Sequence, residues 1–270
     1  MKMYVFDNGY QSEDRTFMVA GSSTADVNDK NRKALWIDIP IQTFLIDHPE
    51  GCILFDTACS PHHATAWPEF INLVSPYTVT EEQTLFARLK NLGLTPNDIA
   101  TVVISHLHVD HAGNLSAFKK AKIYVSDVEL TTTVRNYVVG DDLDVHVPVD
   151  IEAFIAARLN WRPVMEDEKE LEIAPGVTIL NLGSGHSWGM LALRVDLGNS
   201  GTFLLVADAL YMRENLGPPI RVPGIIHDTV GYKRTAKFLE NYARKHGATI
   251  LFGHDMEQFK SLRKPPEYYD

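Results

Sequence analysis

At 270 residues, with 45% hydrophobic and 22% charged side chains, the chain has the size and composition of one globular unit that can bury its core without staples. Its 35 acidic against 25 basic residues give a net charge of −10, which argues against nucleic acid or an anionic membrane surface as a partner. Two cysteines, Cys52 and Cys59, make no disulfide framework, the opening MKMYVFDNGY has no apolar signal region and no run is long enough to span a bilayer, so the cytoplasm is the expected compartment.

The first residues read as a strand, followed by a loose polar loop around Ala20 to Asn31. Strand signals follow at Ile39 to Ile46 and Cys52 to Asp56, with His48-Pro49-Glu50-Gly51 as the turn of a hairpin. Asp56 to Tyr77 is a long connection, and long loops in compact domains are functional or mobile. Within it His62 and His63 either line a pocket mouth or are solvated, and Trp67, Phe70 and Tyr77 either wall an apolar site or pack the loop. Thr80 and Gln83 fit a capping box for a helix with Leu85, Phe86 and Leu89 on one face and Gly93 at its end.

Ala100 to Ser105 is a short apolar, β-branched run that reads as a buried strand leading straight into His106. Lys122 to Ser126 is another strand, and Asp127 can cap a helix to about Asn136. Tyr137 to Met165 is irregular and acidic around Asp141 to Asp144, which suggests a cap inserted at about 137–165 in a single domain. Strands are expected at Val177 to Leu182, Leu191 to Asp196 and Thr202 to Ala207, the last two joined by Gly198-Asn199-Ser200-Gly201. Asp228 caps a long helix that ends at Gly247, and Ala248 to Phe252 is the last strand before His254. Strands with helices following each set predict a layered α/β sandwich.

The chemistry concentrates in Ser105-His106-Leu107-His108-Val109-Asp110-His111-Ala112-Gly113. Three histidines and an aspartate within six residues, directly after a buried strand, are ligand types for zinc and its first-row neighbours. A core needs no such density of ionisable groups, and without a metal their burial is expensive. In an extended stretch His106 and His108 share a face and could grip one ion, and a following turn could aim Asp110 and His111 at different ions. Gly113 allows close backbone approach. Three further ligand-type residues end predicted strands: His186 in Gly183-Ser184-Gly185-His186-Ser187, Asp208 after Phe203 to Ala207, and His254 in Phe252-Gly253-His254-Asp255. Each alone is an ordinary loop or core residue; together they make the number one two-metal site needs.

This order of His-x-His-x-Asp-His, Gly-His, Asp and a final His resembles the metallo-β-lactamase superfamily over essentially the whole chain. The resemblance implies an αββα sandwich. It implies one metal at His106, His108, His111 and His186, a second at Asp110 and His254, and Asp208 bridging them. Asp56, in Phe55-Asp56-Thr57, would orient a ligand from behind. Ala207-Asp208-Ala209-Leu210-Tyr211, Phe252-Gly253-His254-Asp255-Met256-Glu257 and the ending Pro266-Glu267-Tyr268-Tyr269 are similar to the N-acyl homoserine lactonases, a group with γ-butyrolactonase-like and 4-pyridoxolactonase-like members. One departure is Met190, where the family carries a second histidine after Gly189.

The resemblance implies two divalent ions per chain, with zinc expected and iron, cobalt or manganese suited to the same ligands. It implies opening of a lactone ring by hydroxide held between the metals, Tyr211 donating to the oxyanion and Asp110 carrying the proton to the leaving group. The partner is then a small-molecule lactone; an oligomer is possible, a homodimer if any. A true β-lactamase would carry Cys in place of Asp208 and a secretion signal; a glyoxalase-II-like thioesterase shares the ligands but adds a basic C-terminal segment. An inactive metal-binding sensor or scaffold would have little use for all seven ligand positions.

Overall fold

The computed structural model describes residues 1–270. Twelve strands form two sheets. The first holds β1 (Lys2–Asp14), β2 (Trp36–Asp47), β3 (Cys52–Phe55), β4 (Tyr77–Thr78), β5 (Ile99–Val103), β6 (Lys122–Ser126) and β7 (Asn160–Val164), in the order β4-β1-β2-β3-β5-β6-β7. The second holds β8 (Glu170–Ala174), β9 (Val177–Gly183), β10 (Met190–Leu197), β11 (Gly201–Leu205) and β12 (Thr249–Leu251), in the order β12-β11-β10-β9-β8. β2 and β3 pair antiparallel as the expected hairpin, and β3, β5, β6 and β7 run parallel.

The period-two alternation of the strands sorts their side chains into layers. Phe44, Ile46, Ile53, Phe55 and Val103 meet Ile179, Leu191, Leu193, Val195 and Leu205 in a core between the sheets. The intervening Leu45, Leu54 and Val102 point outward with Leu85, Leu89, Ile151 and Phe154 into the helical layer over the first sheet. Leu180, Ala192 and Leu204 likewise face Ala236, Leu239 and Ala243 of the helix Thr229–His246. Helices thus cover both outer faces, the αββα arrangement the resemblance implied. No helix is long and apolar enough to cross a membrane.

Several local expectations shift. The capping box at Thr80 and Gln83 closes only a short turn, Glu81–Gln83; the helix begins at Leu85, where Thr84 accepts from the Ala87 amide. Asp127 is the first residue of the helix Asp127–Val139, not its cap. The stretch 137–165 holds a helix, Pro148–Ala157, and then β7, which forms the edge of the first sheet. With Arg162 and Pro163 in its middle, β7 carries little hydrophobic signal, whereas β8 alternates Glu170-Leu171-Glu172-Ile173 and packs Leu171 and Ile173 against the core between the sheets.

Candidate metal centre

The seven ligand-type residues converge at one end of the two sheets. His106 and His108 leave the end of β5, Asp110 and His111 lie on the short helix Val109–Ala112, and His186 follows β9. Asp208 follows β11 and His254 follows β12. Parallel β3 and β5, and parallel β11 and β12, deliver their carboxyl ends to the same edge, where such sheets build sites.

Two groups result. Ligand atoms of His106, His108, His186 and Asp208 lie within 4.8 Å of one another, and so do those of Asp110, His111, Asp208 and His254. Asp208 divides its oxygens between them. Its Oδ2 is 3.7 Å from His106 Nε2 and 3.2 Å from His186 Nε2; its Oδ1 is 3.2 Å from His111 Nε2 and 3.0 Å from His254 Nε2. Asp110 Oδ2 is 3.2 Å from His111 Nε2 and 3.3 Å from His254 Nε2. One expectation is corrected: His111 belongs with Asp110 and His254, not with His106. It sits one residue after Asp110 on the same short helix, and its Nδ1, 2.8 Å from Asp56 Oδ2, fixes the ring towards that side.

The donor set fits metal ions. His106 Nε2, His108 Nε2, His111 Nε2 and Asp208 Oδ1 are buried and have no hydrogen-bond partner in the protein. Buried polar atoms are otherwise almost always paired, so four orphans facing two centres are what a cation would satisfy. Burial and neighbouring imidazoles push His106 and His108 well below the usual range, which leaves them neutral, the form that ligates. Burial pushes Asp208 upward, but His254, His111 and His186 outweigh it and keep the carboxyl ionised.

The back sides of the rings are held too. His186 Nδ1 meets the Ile225 carbonyl at 3.1 Å and His254 Nδ1 the Pro40 carbonyl at 3.0 Å. Asp56 takes the Ser105 amide at 2.7 Å and the Ser105 hydroxyl at 2.9 Å, and that hydroxyl lies 3.0 Å from His106 Nδ1. Asp56 therefore steadies both groups, the place behind a ligand that its motif implied. Its backbone is left-handed, φ 61°, as is that of Ala207 beside Asp208, φ 44°, so local strain is concentrated at the site. Gly113 is required by packing: a Cβ there would lie 2.2 Å from the Ser60 amide nitrogen.

Sequence reasoning missed Glu129. Fully buried on the helix Asp127–Val139, it accepts from the Leu107 amide, the Ser187 hydroxyl and the Gly189 amide, and contacts His146 Nε2 at 2.8 Å. It ties the loop carrying His106 and His108 to the loop carrying His186. Its only sequence signal is an acidic residue set between the apolar Val128 and Leu130.

A cavity of about 170 Å³ opens onto the candidate ligands His108, Asp110, His186, Asp208 and His254, with Phe17, Met18, Ile39, Ile71 and Val74 among its walls. Phe70 and Val145 line it; Trp67 and Tyr77 pack together with His63 instead, and His62 is an exposed loop residue. Met190 lies in the core beneath the helix Thr229–His246, away from the cavity. Tyr211 lines the cavity with its hydroxyl 3.0 Å from His186 Nδ1; burial, then Asp208 and Glu13, hold the phenol well above its ordinary pKa, so it remains a donor.

The metallo-beta-lactamase superfamily profile matches residues 36–254. The N-acyl homoserine lactonase AiiB of Agrobacterium fabrum is 43% identical over 266 residues, 97% of this chain and 96% of that protein. The N-acyl homoserine lactonase AiiA of Bacillus thuringiensis subsp. kurstaki is 31% identical over 261 residues, 93% of this chain and 97% of that one. A solved N-acyl homoserine lactone hydrolase, with the product N-hexanoyl-L-homoserine at its catalytic metal center, superposes with a TM-score of 0.82 at 27% identity, covering 99% of this chain and 98% of the other. On fold, ligand order and whole-length similarity, this chain belongs to the metallo-beta-lactamase superfamily and, within it, to the N-acyl homoserine lactonase family.

Proposed function

We propose that the protein opens the lactone ring of N-acyl homoserine lactones, with two divalent metal ions, zinc by preference, held by His106, His108, His186 and Asp208 and by Asp110, His111, His254 and Asp208. The observation that carries this reading is Asp208, whose two oxygens face two buried ligand groups at the floor of an apolar cavity. Relatives similar in sequence over nearly their whole length that carry the lactonase name support the substrate class. Bound there, the ions would acidify water and polarise the lactone carbonyl.

The protein's own groups do the rest. The Tyr211 hydroxyl, kept protonated by burial, donates to the carbonyl oxygen as negative charge develops on it. Asp110 turns Oδ2 towards His111 and His254, which leaves Oδ1 to take the proton that the attacking water gives up and pass it to the ring oxygen as the ring C–O bond breaks. The apolar walls take the acyl chain and exclude water around the reacting ester. The segment 137–165 contributes Val145 to the cavity and is assigned a share in chain-length preference. The two cysteines are free, which supports a reducing cytoplasm.

A pH-stat assay on metal-loaded protein tests the reading. N-hexanoyl-homoserine lactone should give a higher kcat/KM than S-lactoylglutathione or a β-lactam, and elemental analysis should find about two ions per chain. The highest kcat/KM on the thioester would replace the lactonase reading with a thioesterase.

A further inference from the structure

One buried group around the cavity is used by neither ligand group. Glu13 lines the cavity, is 3% exposed and belongs to the same face of β1 as Gln11. Ser75 Oγ donates to its Oε2 at 2.8 Å, and the backbone carbonyl of Ser75 accepts from Gln11 Nε2 at 3.3 Å. Glu13 Oε1 has no hydrogen-bond partner. The walls beside it are apolar: Phe17, Met18, Ile39, Phe70 and Ile71 line the same space. A buried carboxyl left half-satisfied in such a wall is costly, and a ligand atom that completes it removes the cost.

Its position along β1 selects which part of a substrate it meets. Tyr10 pairs with Pro40, whose carbonyl anchors His254, so this level of β1 is the level of the metal ligands. Glu13 lies three residues further along the strand, about 10 Å at the usual rise. A five-membered lactone ring held by its carbonyl at the ligands is too small to span that distance, so the part of the substrate that can reach Glu13 is the acyl chain. Burial pushes the carboxyl up to about 7, so it can donate to a keto oxygen when protonated and accept from a hydroxyl when ionised.

Building on the lactonase reading, we propose that Glu13 is a specificity residue that hydrogen-bonds an oxygen substituent on the acyl chain close to the amide. The site then favours beta-keto- or beta-hydroxyacyl homoserine lactones over unsubstituted ones of equal length, since an unsubstituted chain leaves Oε1 buried and unpaired. The test compares kcat/KM for N-hexanoyl-homoserine lactone with its beta-keto and beta-hydroxy counterparts. The wild type should favour an oxygenated chain by about tenfold or more, a preference that Glu13→Leu abolishes and Glu13→Gln keeps in part. A wild-type ratio near one, or a ratio unchanged by Glu13→Leu in protein with normal metal content, overturns the proposal. Should Glu13→Leu not fold, an unaltered ratio in both Glu13→Gln and Ser75→Ala overturns it as well. A wild type that opens no homoserine lactone at all sinks the lactonase reading itself, whereas efficient opening without discrimination sinks the Glu13 assignment alone.

Discussion

His106, His108 and His186 face Asp208 from one side with imidazoles alone, whereas Asp110, His111 and His254 face it from the other with a second carboxylate among them. The first group is sealed: its three rings are at most 2% exposed, and Glu129 clamps the two loops that carry them. The second is held by Asp56 and the Pro40 carbonyl, and its Asp110 side chain is 12% exposed, the most open of the seven. A wholly buried, neutral ligand set can do little except hold an ion. A partly open carboxylate with an uncommitted oxygen can also move a proton. On the proposed reading the two halves of the centre would divide their work, one holding and one holding while transferring.

Removing what the halves share should break the division most severely. Asp208→Asn keeps the shape but deletes the charge that both groups use, and leaves an amide nitrogen facing imidazoles on one side. Activity should fall by about 10⁴-fold or more, beyond the loss of any single proton carrier, with less than one ion retained per chain by elemental analysis. Two ions retained would show that Asp208 is not the link between the groups.

Asp110→Asn attacks the second half alone. The expected loss on an oxygen lactone is several hundredfold, on the order of a typical general-acid contribution. A thiolactone releases a thiolate, which needs no proton, so the same variant should lose far less on it. Equal losses on both substrates, in protein shown to hold two ions, would remove Asp110 as the proton carrier and leave the halves chemically alike.

Glu129→Gln attacks the first half from behind. The amide cannot accept from the Leu107, Ser187 and Gly189 donors as the carboxylate does, so the loops should loosen together. Groups behind metal ligands are worth roughly ten- to a hundredfold in metal affinity. Titration with a chelator should show one ion lost early and the other unaffected. Simultaneous loss of both would mean that Glu129 supports the whole site rather than one side of it.

The sequence displayed the ligands far better than their supports. His106 to His111 announce themselves because so many ionisable groups follow a buried strand, and His186, Asp208 and His254 because each ends an apolar run. Partition between the groups was not legible: whether His111 turns to His106 or to Asp110 depends on Asp56, which is far off in sequence and meets it only in the fold. Glu129 and Glu13 were silent for a related reason. A single acidic residue in a helix or strand looks solvated until the fold buries it, and here both are almost fully enclosed. Layers followed from alternation in the buried strands, and the short β8 alternates as well, while the half-exposed β7, interrupted by Arg162 and Pro163, gave no such pattern.

Tyr211 offers the smallest and most discriminating test, because it touches the first half without being a ligand. Its hydroxyl lies beside the His186 ring and inside the cavity, and Tyr211→Phe removes that oxygen while keeping the ring in its contacts with His186 and His254. Metal content should stay near normal. Removal of one oxyanion donor costs up to about 3–4 kcal/mol in sites with no cation nearby, and less where bound ions share the charge, so kcat should drop roughly ten- to a hundredfold. KM should change little, because the bond strengthens only as charge develops on the carbonyl oxygen. The drop should also be similar for oxygen lactones and thiolactones, since both pass through the same oxyanion, in contrast to the leaving-group dependence expected of Asp110→Asn. A raised KM with unchanged kcat would make Tyr211 a wall of the binding cavity, and a lost ion would make it a support for His186; either result would take the oxyanion role away from it.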